Sequence, residues 1–308
     1  MSWTPAHLPD QTGRTHVVTG STAGIGYFAA EQLASAGAHV ILAARSPERL
    51  AAARASIRDQ VPGAAVSTVV LDLAALASVR RAATELAALG PIDDLFLNGA
   101  AMRSTSGTTS DGLPILLGTH VVANFALLGL LLPALAATGA ARGIPARIVH
   151  ASTGFVRRLR LDVDDVIAPQ RGFFRSYTQA KTVTELYAYE LDRRLRAADT
   201  PVASVLTHPG VGVDAKTPAR RGVYDPRTQR RRNPFSPWAQ GKDAAAWPAV
   251  RALTDPGVVG GEYLGPANGR RGEPVRVEHN AHTAHPDGDR AARVWEQLES
   301  LTGVPVPA

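Results

Sequence analysis

A serine, a tyrosine and a lysine have the types and spacing needed to move a proton to or from a carbonyl oxygen. Tyr177 and Lys181 are four residues apart, which places the phenol and the ammonium on one face of a helix. Because a nearby cation favours tyrosinate, we expect Lys181 to lower the pKa of Tyr177 towards neutrality. Ser152 directly follows an apolar segment and could hydrogen-bond the same oxygen. Alone, such a Tyr/Lys pair also fits a solvated helix face.

A glycine-rich turn near the N-terminus indicates a place where a dinucleotide could bind. The segment from Thr19 to Gly26 lies between an apolar strand-like run and a helix-like run. Gly20 would allow the tight turn, Gly24 a close approach of backbone to phosphate, and Gly26 close packing of the helix on the sheet. The free N–H groups at the helix start would then face a dinucleotide pyrophosphate. Glycine turns without nucleotides are frequent, so the turn needs support from its context.

Arg45 follows the second predicted strand, at the point where cofactor preference is decided. A carboxylate near this position binds the ribose 2′-hydroxyl of NAD, whereas an arginine suits the 2′-phosphate of NADP. The strand ends in Ala44-Arg45 with no acid, which favours NADP. An exposed loop arginine in an arginine-rich chain is the alternative.

The order of the predicted elements indicates an α/β protein with a doubly wound parallel sheet flanked by helices. We expect strands at 16–19, 39–44, 66–71, 94–97, 147–151, 202–206 and 262–264. Predicted helices cover 27–36, 47 onward, 76–89, 112–137, 177–197, 238–253 and 287–301. No linker is visible, so we expect one domain over 1–308, with a core of about 14–270, a substrate loop of about 211–237 and a C-terminal tail of about 271–308.

Composition excludes several classes of protein. The chain of 308 residues has no cysteine, so there is no disulfide framework and no cysteine-based metal site. Its net charge is +6, but lysine occurs only at 181, 216 and 242, and the arginines are spread along the chain. No nucleic-acid-binding motif accompanies them. Without a signal-peptide core, and with the apolar stretch 121–137 interpreted as a buried helix, we expect a cytoplasmic protein with no membrane span.

The motifs together resemble the short-chain dehydrogenase/reductase family. They are Thr19–Gly26, Asp72-Leu73, Asn98-Gly99-Ala100, Ser152, Tyr177-x-x-x-Lys181 and Pro209-Gly210, in the family's order and over nearly the whole chain. Asp111-Gly112, the run 125–135, the gap from Ser152 to Tyr177 and the segment 260–266 are most similar to the retinol-dehydrogenase-like and protochlorophyllide-reductase-like branch.

The resemblance implies a single-domain Rossmann fold with a C-terminal extension, an NADP(H) cofactor, and reversible hydride transfer between a carbonyl and an alcohol. It implies that Tyr177 is the acid/base, that Lys181 holds the nicotinamide ribose, and that Ser152 positions the substrate oxygen. The cofactor-binding residues that it implies are Gly20, Thr22, Gly24, Ile25, Gly26, Arg45, Asp72, Leu73, Asn98, Gly99, Tyr177, Lys181, Pro209, Gly210 and Val213.

The chain departs from the family pattern near the cofactor. His120 stands where the family usually has a catalytic asparagine, and histidine titrates near neutrality and can donate and accept hydrogen bonds. We hypothesise that His120 replaces the asparagine in a proton relay; loss of the relay is the alternative. Gly99-Ala100-Ala101 replaces the preferred Asn-Ala-Gly, and Asp214 lies near a usual threonine, where its charge could repel phosphate. A nucleotide-binding protein with a non-redox, sensor or structural role therefore stays open beside the oxidoreductase.

The predicted substrate is a lipophilic or aromatic carbonyl or alcohol. Phe155, Val156, Phe173 and Phe174 suggest an apolar pocket wall, although aromatic residues are also ordinary core residues. The arginine-rich segment from Arg220 to Arg232 could bind an anionic substrate or a carrier protein, and otherwise is a solvated loop. The long apolar helix is of a kind that packs against a partner subunit, so we expect a homodimer or homotetramer.

Overall fold

The structure, a computed structural model, describes residues 3–101, 107–168, 170–224 and 236–307. Its centre is a sheet of eight strands. The strands are β1 (Thr15–Thr19), β2 (His39–Ala44), β3 (Val66–Val70), β4 (Asp94–Leu97), β5 (Ala146–Ala151), β6 (Val202–Thr207), β7 (Tyr263–Pro266) and β8 (Pro274–Arg276).

The strand order is β3-β2-β1-β4-β5-β6-β7-β8. All neighbouring pairs are parallel except β7 and β8, which are antiparallel. The chain crosses from β3 to β4 past β1, so the order reverses between β1 and β4. Open sheets of this type bind ligands at such a point, outside the carboxyl ends of the strands.

Helices cover both faces of the sheet. They are α1 (Gly24–Ser35), α2 (Pro47–Gln60), α3 (Leu76–Ala88), α4 (Ile115–Leu117), α5 (Ala123–Arg142), α6 (Phe173–Ala197), α7 (Lys242–Ala245), α8 (Trp247–Thr254), α9 (Ala281–Ala284) and α10 (Arg290–Thr302). Two apolar clusters form the core, one on each face of the sheet, and both contain fully buried strand residues. The predicted α/β fold class is confirmed.

Local sequence chemistry explains several helix ends. The Ser46 side chain accepts a hydrogen bond from the backbone N–H of Arg49, and Pro47 occupies the first turn of α2. Gly37, with φ of +92°, follows α1 and allows the chain to turn back into β2. α1 itself starts at Gly24, three residues earlier than predicted, so the glycine turn leads directly into the helix.

The long apolar helix contains an irregular turn. Between α4 and α5, residues Gly118–Val122 form a π-helix, where the sequence predicted one regular helix from Gly112 to Ala137. Among the described residues, Ile115–Arg142 is long and apolar enough to cross a membrane, with a mean hydropathy of 2.1, but 89% of its most apolar window is buried inside the protein. This helix therefore forms part of the core of the described structure.

The C-terminal residues form part of the core, and the helix predicted at 287–301 is present as α10. β8 pairs with β7, and α10 packs on α5 and α6. Trp295 of α10 is fully buried, with its ring centroid 5.0 Å from that of Phe125 in α5. Val304 and Val306 lie so close to Gly129 of α5 that an added Cβ there would be 2.8 Å from Val306. The tail thus covers a face of the apolar helix within the same chain.

Candidate active site

The glycine turn is packed against the end of β4. Gly20 has φ of +66°, and a Cβ added to it would lie 2.6 Å from the Cα of Gly99. A Cβ on Gly26 would lie 2.5 Å from Nδ2 of Asn98 and 2.6 Å from the carbonyl oxygen of Gly20. Asn98 Nδ2 donates to the carbonyl oxygen of Thr19. Gly20 and Gly26 are therefore required by backbone conformation and by close packing, which holds the turn in one shape.

The start of α1 has hydrogen-bonding groups that suit a diphosphate. No side chain caps the helix, and no acidic residue occurs in its first turn, so its first N–H groups are available to an anion. The buried hydroxyl of Ser21 has no hydrogen-bond partner in the described structure. Gly24 has φ of +59°, and a Cβ there would contact only Lys242. These features fit the pyrophosphate of a dinucleotide.

The other predicted cofactor residues lie at the same edge of the sheet. Arg45 follows β2 and is exposed. After β3, Asp72 uses Oδ1 to accept from the N–H of Ala74, while Leu73 packs against the core. Asn98 and Gly99 follow β4, and the backbone N–H groups of both residues donate to the hydroxyl oxygen of Thr19. The parallel register brings these strand ends side by side.

The last cofactor segment follows β6. Gly210 has φ of +66°, and a Cβ there would overlap the carbonyl oxygen of Arg270. Val213 is buried, and Asp214 pairs with Lys242 at 2.5 Å between Oδ1 and Nζ. Lys242 lies beside Gly24, so this ion pair balances the negative charge of Asp214 that could repel phosphate.

Ser152, Tyr177 and Lys181 come together at the end of β5. Nζ of Lys181 donates to the carbonyl oxygen of Ala151 at 2.5 Å, and it lies 5.9 Å from the ring centroid of Tyr177. The Tyr177 hydroxyl hydrogen-bonds Thr153, one residue after Ser152. α6 supplies both Tyr177 and Lys181 from one face, as their spacing predicts. The arrangement can deliver a proton to an oxygen placed between Ser152 and Tyr177.

The protonation behaviour of this group differs from the sequence argument. Burial raises the pKa of Tyr177 above its ordinary value, and the hydrogen bond from Thr153 opposes that rise only in part. Burial lowers the pKa of Lys181 to about 8. The expected lowering of the Tyr177 pKa by Lys181 is therefore wrong for the chain without cofactor, because removal from water dominates.

His120 lies in the π-helical turn, with its ring edge-on to Tyr177 at 5.4 Å between centroids. Its Nε2 hydrogen-bonds the carbonyl oxygen of Ala101 at 2.9 Å, and its Nδ1 has no partner among the described residues. Burial, together with the charge of Lys181, lowers the pKa of His120 to about 3. The near-neutral titration that the sequence argument assumed is therefore wrong.

Sequence reasoning missed a carboxyl group next to the predicted serine. Glu185 lies one helical turn after Lys181 and is fully buried. The hydroxyl of Ser152 donates to its Oε1 at 2.6 Å. Ser21, Thr153 and Lys242 were also missed. The sequence did contain a pattern that indicates Glu185, because it follows Tyr177 and Lys181 at the same spacing of four residues. For Ser21, Thr153 and Lys242 the sequence offers no pattern beyond closeness to a predicted site residue.

The residues of the predicted apolar wall differ in exposure, and the wall itself stays a prediction. Phe155 and Phe174 are exposed and contact each other edge to face at 4.8 Å, while Phe173 stacks on Tyr177 at 5.8 Å. Val156 is fully buried and does not belong to an open wall. Arg220 forms a two-bond ion pair with Glu31, whereas the arginines at 230–232 lie outside the described residues.

Comparison with known proteins gives a consistent assignment. The family model "short chain dehydrogenase" matches residues 14–153. Polyprenol dehydrogenase of Mus musculus is 35% identical over 306 residues, covering 97% of this chain and 87% of that protein. Retinol dehydrogenase 13 of Homo sapiens is 30% identical over 301 residues, covering 96% and 86%.

A crystal structure of an uncharacterized protein from Mycobacterium Paratuberculosis covers all of both chains, with a TM-score of 0.78 and 28% identity. The Pseudomonas aeruginosa RhlG/NADP complex, 21% identical, covers 83% of this chain and 95% of that one with a TM-score of 0.61, which is a likeness of fold. The chain belongs to the short-chain dehydrogenase/reductase family, in its retinol-dehydrogenase-like branch, and is a nicotinamide-dependent oxidoreductase.

Proposed function

We propose that the protein is an NADP(H)-dependent oxidoreductase that interconverts a carbonyl and an alcohol on a lipophilic small molecule. The observation that carries the proposal is the convergence of Ser152, Tyr177 and Lys181 beside the glycine turn at one edge of the sheet. Open parallel sheets use this edge for ligands, and the three side chains have the chemistry that carbonyl reduction needs.

Each side chain has a separate task in the reaction. When bound, the nicotinamide would supply or accept the hydride at the substrate carbon. Tyr177 gives its hydroxyl proton to the substrate oxygen during reduction and takes it back during oxidation, so that one proton accompanies each hydride. Lys181, next to Tyr177 on α6, stabilises the negative charge left on the phenol oxygen. Ser152 hydrogen-bonds the substrate oxygen and orients it.

Two observations support a lipophilic substrate. Phe155, Phe173 and Phe174 are exposed aromatic residues; Phe173 stacks on the ring of Tyr177, and Phe155 contacts Phe174, the next residue of α6. The relatives are named for polyprenol and retinol, which are both apolar alcohols. A wall of aromatic rings next to the proton donor suits such a chain better than a sugar or an organic acid.

The preference for NADP rests on Arg45. Its side chain is exposed directly after β2, where a ribose 2′-phosphate would need a cation.

The competing role without redox chemistry had two grounds, Asp214 and His120. Since Lys242 balances Asp214, only His120 still favours that role. Cytoplasmic location, a homo-oligomer and a carrier protein as partner stay predictions.

The proposal is tested by titrating the protein with NADPH and NADH and by following NADPH absorbance with lipophilic aldehydes and ketones. We expect tighter NADPH binding and oxidation by at least one carbonyl compound. Tyr177→Phe should keep NADPH binding and lose turnover. Failure of wild-type protein to bind either nucleotide would contradict the role of the glycine turn; binding without turnover on a broad panel would favour the non-redox role.

Arg45→Ala tests the choice of cofactor. A charge-assisted hydrogen bond to phosphate contributes roughly 1.5–3 kcal/mol, so the Kd of NADPH should rise about tenfold to a hundredfold. The Kd of NADH should change little, because NADH lacks the 2′-phosphate. Arg81→Ala, which removes an exposed arginine from α3, is the matched control. Equal weakening of both nucleotides in Arg45→Ala would count against a 2′-phosphate contact.

A further inference from the structure

Glu185 is a buried carboxyl group that the proposed reaction does not use. Its side chain lies at the point where β5, β7 and the C-terminal extension meet, with no exposure to solvent. Oε1 is 2.6 Å from Oγ of Ser152 and 3.0 Å from the hydroxyl of Tyr263. Oε2 is 2.8 Å from Nδ2 of Asn280 and 2.8 Å from Oγ1 of Thr283. Every oxygen lone pair of an ionised carboxylate would thus have a donor.

When Glu185 is ionised, the hydroxyl hydrogen of Ser152 is not available to the substrate. Ser152 has one hydroxyl hydrogen, and a carboxylate can only accept, so that hydrogen points at Glu185. The Ser152 oxygen then offers only lone pairs to the pocket. A carbonyl oxygen also offers only lone pairs, so Ser152 cannot hydrogen-bond it in this state.

Adding one proton to Glu185 reverses the direction of the bond. A protonated Oε1 donates to Oγ of Ser152, which frees the serine hydrogen for the substrate oxygen. The remaining partners tolerate the change. The Asn280 amide still donates to Oε2, since its Oδ1 accepts from Arg157 and fixes its orientation. Thr283 has a second acceptor, the carbonyl oxygen of Asn280 at 3.1 Å.

Some groups around Glu185 favour its protonated form, and others favour its ionised form. Burial raises the pKa of Glu185, and its four hydrogen bonds oppose that rise. Lys181, on the same helix, favours the charged form. Tyr263 of β7 and Tyr189 of α6 also face it, and burial raises the pKa of both phenols, so both stay neutral while Tyr263 donates to Oε1. Beyond them, His208 packs edge-on against Tyr263, and Arg157 binds Asn280.

We propose that Glu185 is a positioning residue for carbonyl reduction, whose proton decides whether Ser152 donates to the substrate oxygen or stays bound to the carboxyl group. This inference rests on the proposed function of the same site. Reduction therefore needs two protons in place, one on Tyr177 that is transferred and one on Glu185 that is not. Because both are lost as the pH rises, the pH profile of reduction should have two separate steps on its alkaline side.

Glu185→Gln separates this role from a structural one. The introduced amide can donate to Oγ of Ser152 at every pH while its oxygen accepts from Asn280 and Thr283. We expect kcat for carbonyl reduction in the wild type to fall about tenfold per pH unit above the pKa of Glu185. In Glu185→Gln that step should disappear while the step from Tyr177 stays. Glu190→Gln, the same change further along α6 at a carboxylate bound to Arg193 and Arg194, should keep the wild-type profile.

A uniform loss of kcat in Glu185→Gln, with the wild-type shape of the pH profile, would overturn the proposal and leave only a structural role.

A double-mutant cycle checks that the effect of Glu185 on the pH profile passes through Ser152. In a Ser152→Ala background, the step in the pH profile that belongs to Glu185, here called the first step, should already be absent. Adding Glu185→Gln should then not change the profile further. A first step that persists in Ser152→Ala contradicts the proposal.

Infrared spectroscopy tests the proton without any turnover, including the case in which Glu185→Gln does not fold. The wild type should show a carboxylic C=O band that titrates at the midpoint of the first kinetic step and that Glu190→Gln retains. Ser152→Ala removes a donor to the carboxylate and should move that midpoint to higher pH. No titrating band, or a midpoint indifferent to Ser152→Ala, overturns the proton switch, whereas absence of any carbonyl reduction overturns the proposed function.

Discussion

At the scale of single residues, His120 shows how burial changes what a side chain can do. Its Nε2 must carry the hydrogen, since the carbonyl oxygen of Ala101 can only accept. Nδ1 is then a bare acceptor facing no described partner. With a pKa of about 3, the ring is uncharged wherever the enzyme would work. His120 can accept a hydrogen bond in a relay through Nδ1, but it cannot itself titrate there.

Replacing His120 with phenylalanine tests this neutral role. His120→Phe keeps the ring beside Tyr177 and removes the donor and the acceptor, so kcat should fall about tenfold or more. The midpoints of the pH profile should not move, because the ring is uncharged in both proteins. His120→Asn, which restores a donor and an acceptor, should recover most of the activity. A step near neutral pH that vanishes in His120→Phe would show that His120 does ionise.

Residue types and spacing predicted which side chains meet, but not their protonation. The four-residue spacing of Tyr177 and Lys181 correctly placed both on one face of α6. The direction of the Tyr177 pKa shift was wrong, since the cost of removing a phenolate from water depends on neighbours that are distant in sequence. Glu185 escaped notice for the same reason: its partners Tyr263, Asn280 and Thr283 lie far along the chain.

At the scale of elements, the glycine turn and α1 form one unit with the end of β4. Gly20, Gly26 and Gly99 bring three backbone segments within van der Waals contact, with Asn98 bridging them. Such close packing leaves no room for even one added methyl group.

Gly26→Ala tests this packing. The new Cβ would overlap both Asn98 and the backbone of Gly20, so we expect a loss of about 1–3 kcal/mol in the free energy of unfolding. NADPH binding should weaken in parallel, because the turn must shift. Gly154→Ala is the control for both measurements, since a Cβ at Gly154 meets no atom within 4 Å. Unchanged stability and affinity in Gly26→Ala would show that the turn adapts freely.

Regular elements were predictable from apolar patterns, and irregular ones were not. The strands through β6 lie within one or two residues of their predicted positions, because continuous apolar runs mark strands buried on both faces. The π-helical turn at His120 was missed, as was the break between α7 and α8 within the predicted helix 238–253. β8 was also missed, since its exposed Val275 and Arg276 have no apolar pattern of their own.

At the scale of the whole molecule, the C-terminal extension completes the core. α10 contributes fully buried side chains, and Val304 and Val306 pack on Gly129 of α5. The apolar surface of α5, which suggested a partner subunit, is therefore largely covered by the chain's own tail. The homo-oligomer stays a prediction, but the apolar surface of α5 no longer supports it.

Trp295→Ala measures how much the extension stabilises the fold. Removing a fully buried tryptophan costs about 3–5 kcal/mol, and the contacts with Phe125 and Arg194 would be lost. The midpoint of denaturant unfolding should fall accordingly. Trp238→Ala removes a tryptophan that is 53% exposed and should change the midpoint little. Similar midpoints for both variants would mean that the extension folds independently of the core.

The contacts of Glu185 with Asn280 and Thr283 have a consequence for the cooperativity of the fold. The same carboxyl group touches the serine of the site and the start of α9 in the extension, so docking of the extension and ionisation of Glu185 are thermodynamically linked. Burial raises the pKa of Glu185, so the contribution of this group to the stability of the fold is fully present in acid and declines as the pH rises through that pKa. The hydrogen bonds from Asn280 and Thr283 act in the opposite direction, because they stabilise the ionised carboxylate. Alkaline conditions should therefore weaken the fold as a whole while the docked extension limits the loss, so the end of the chain helps to set the ionisation state of a group at the centre of the molecule.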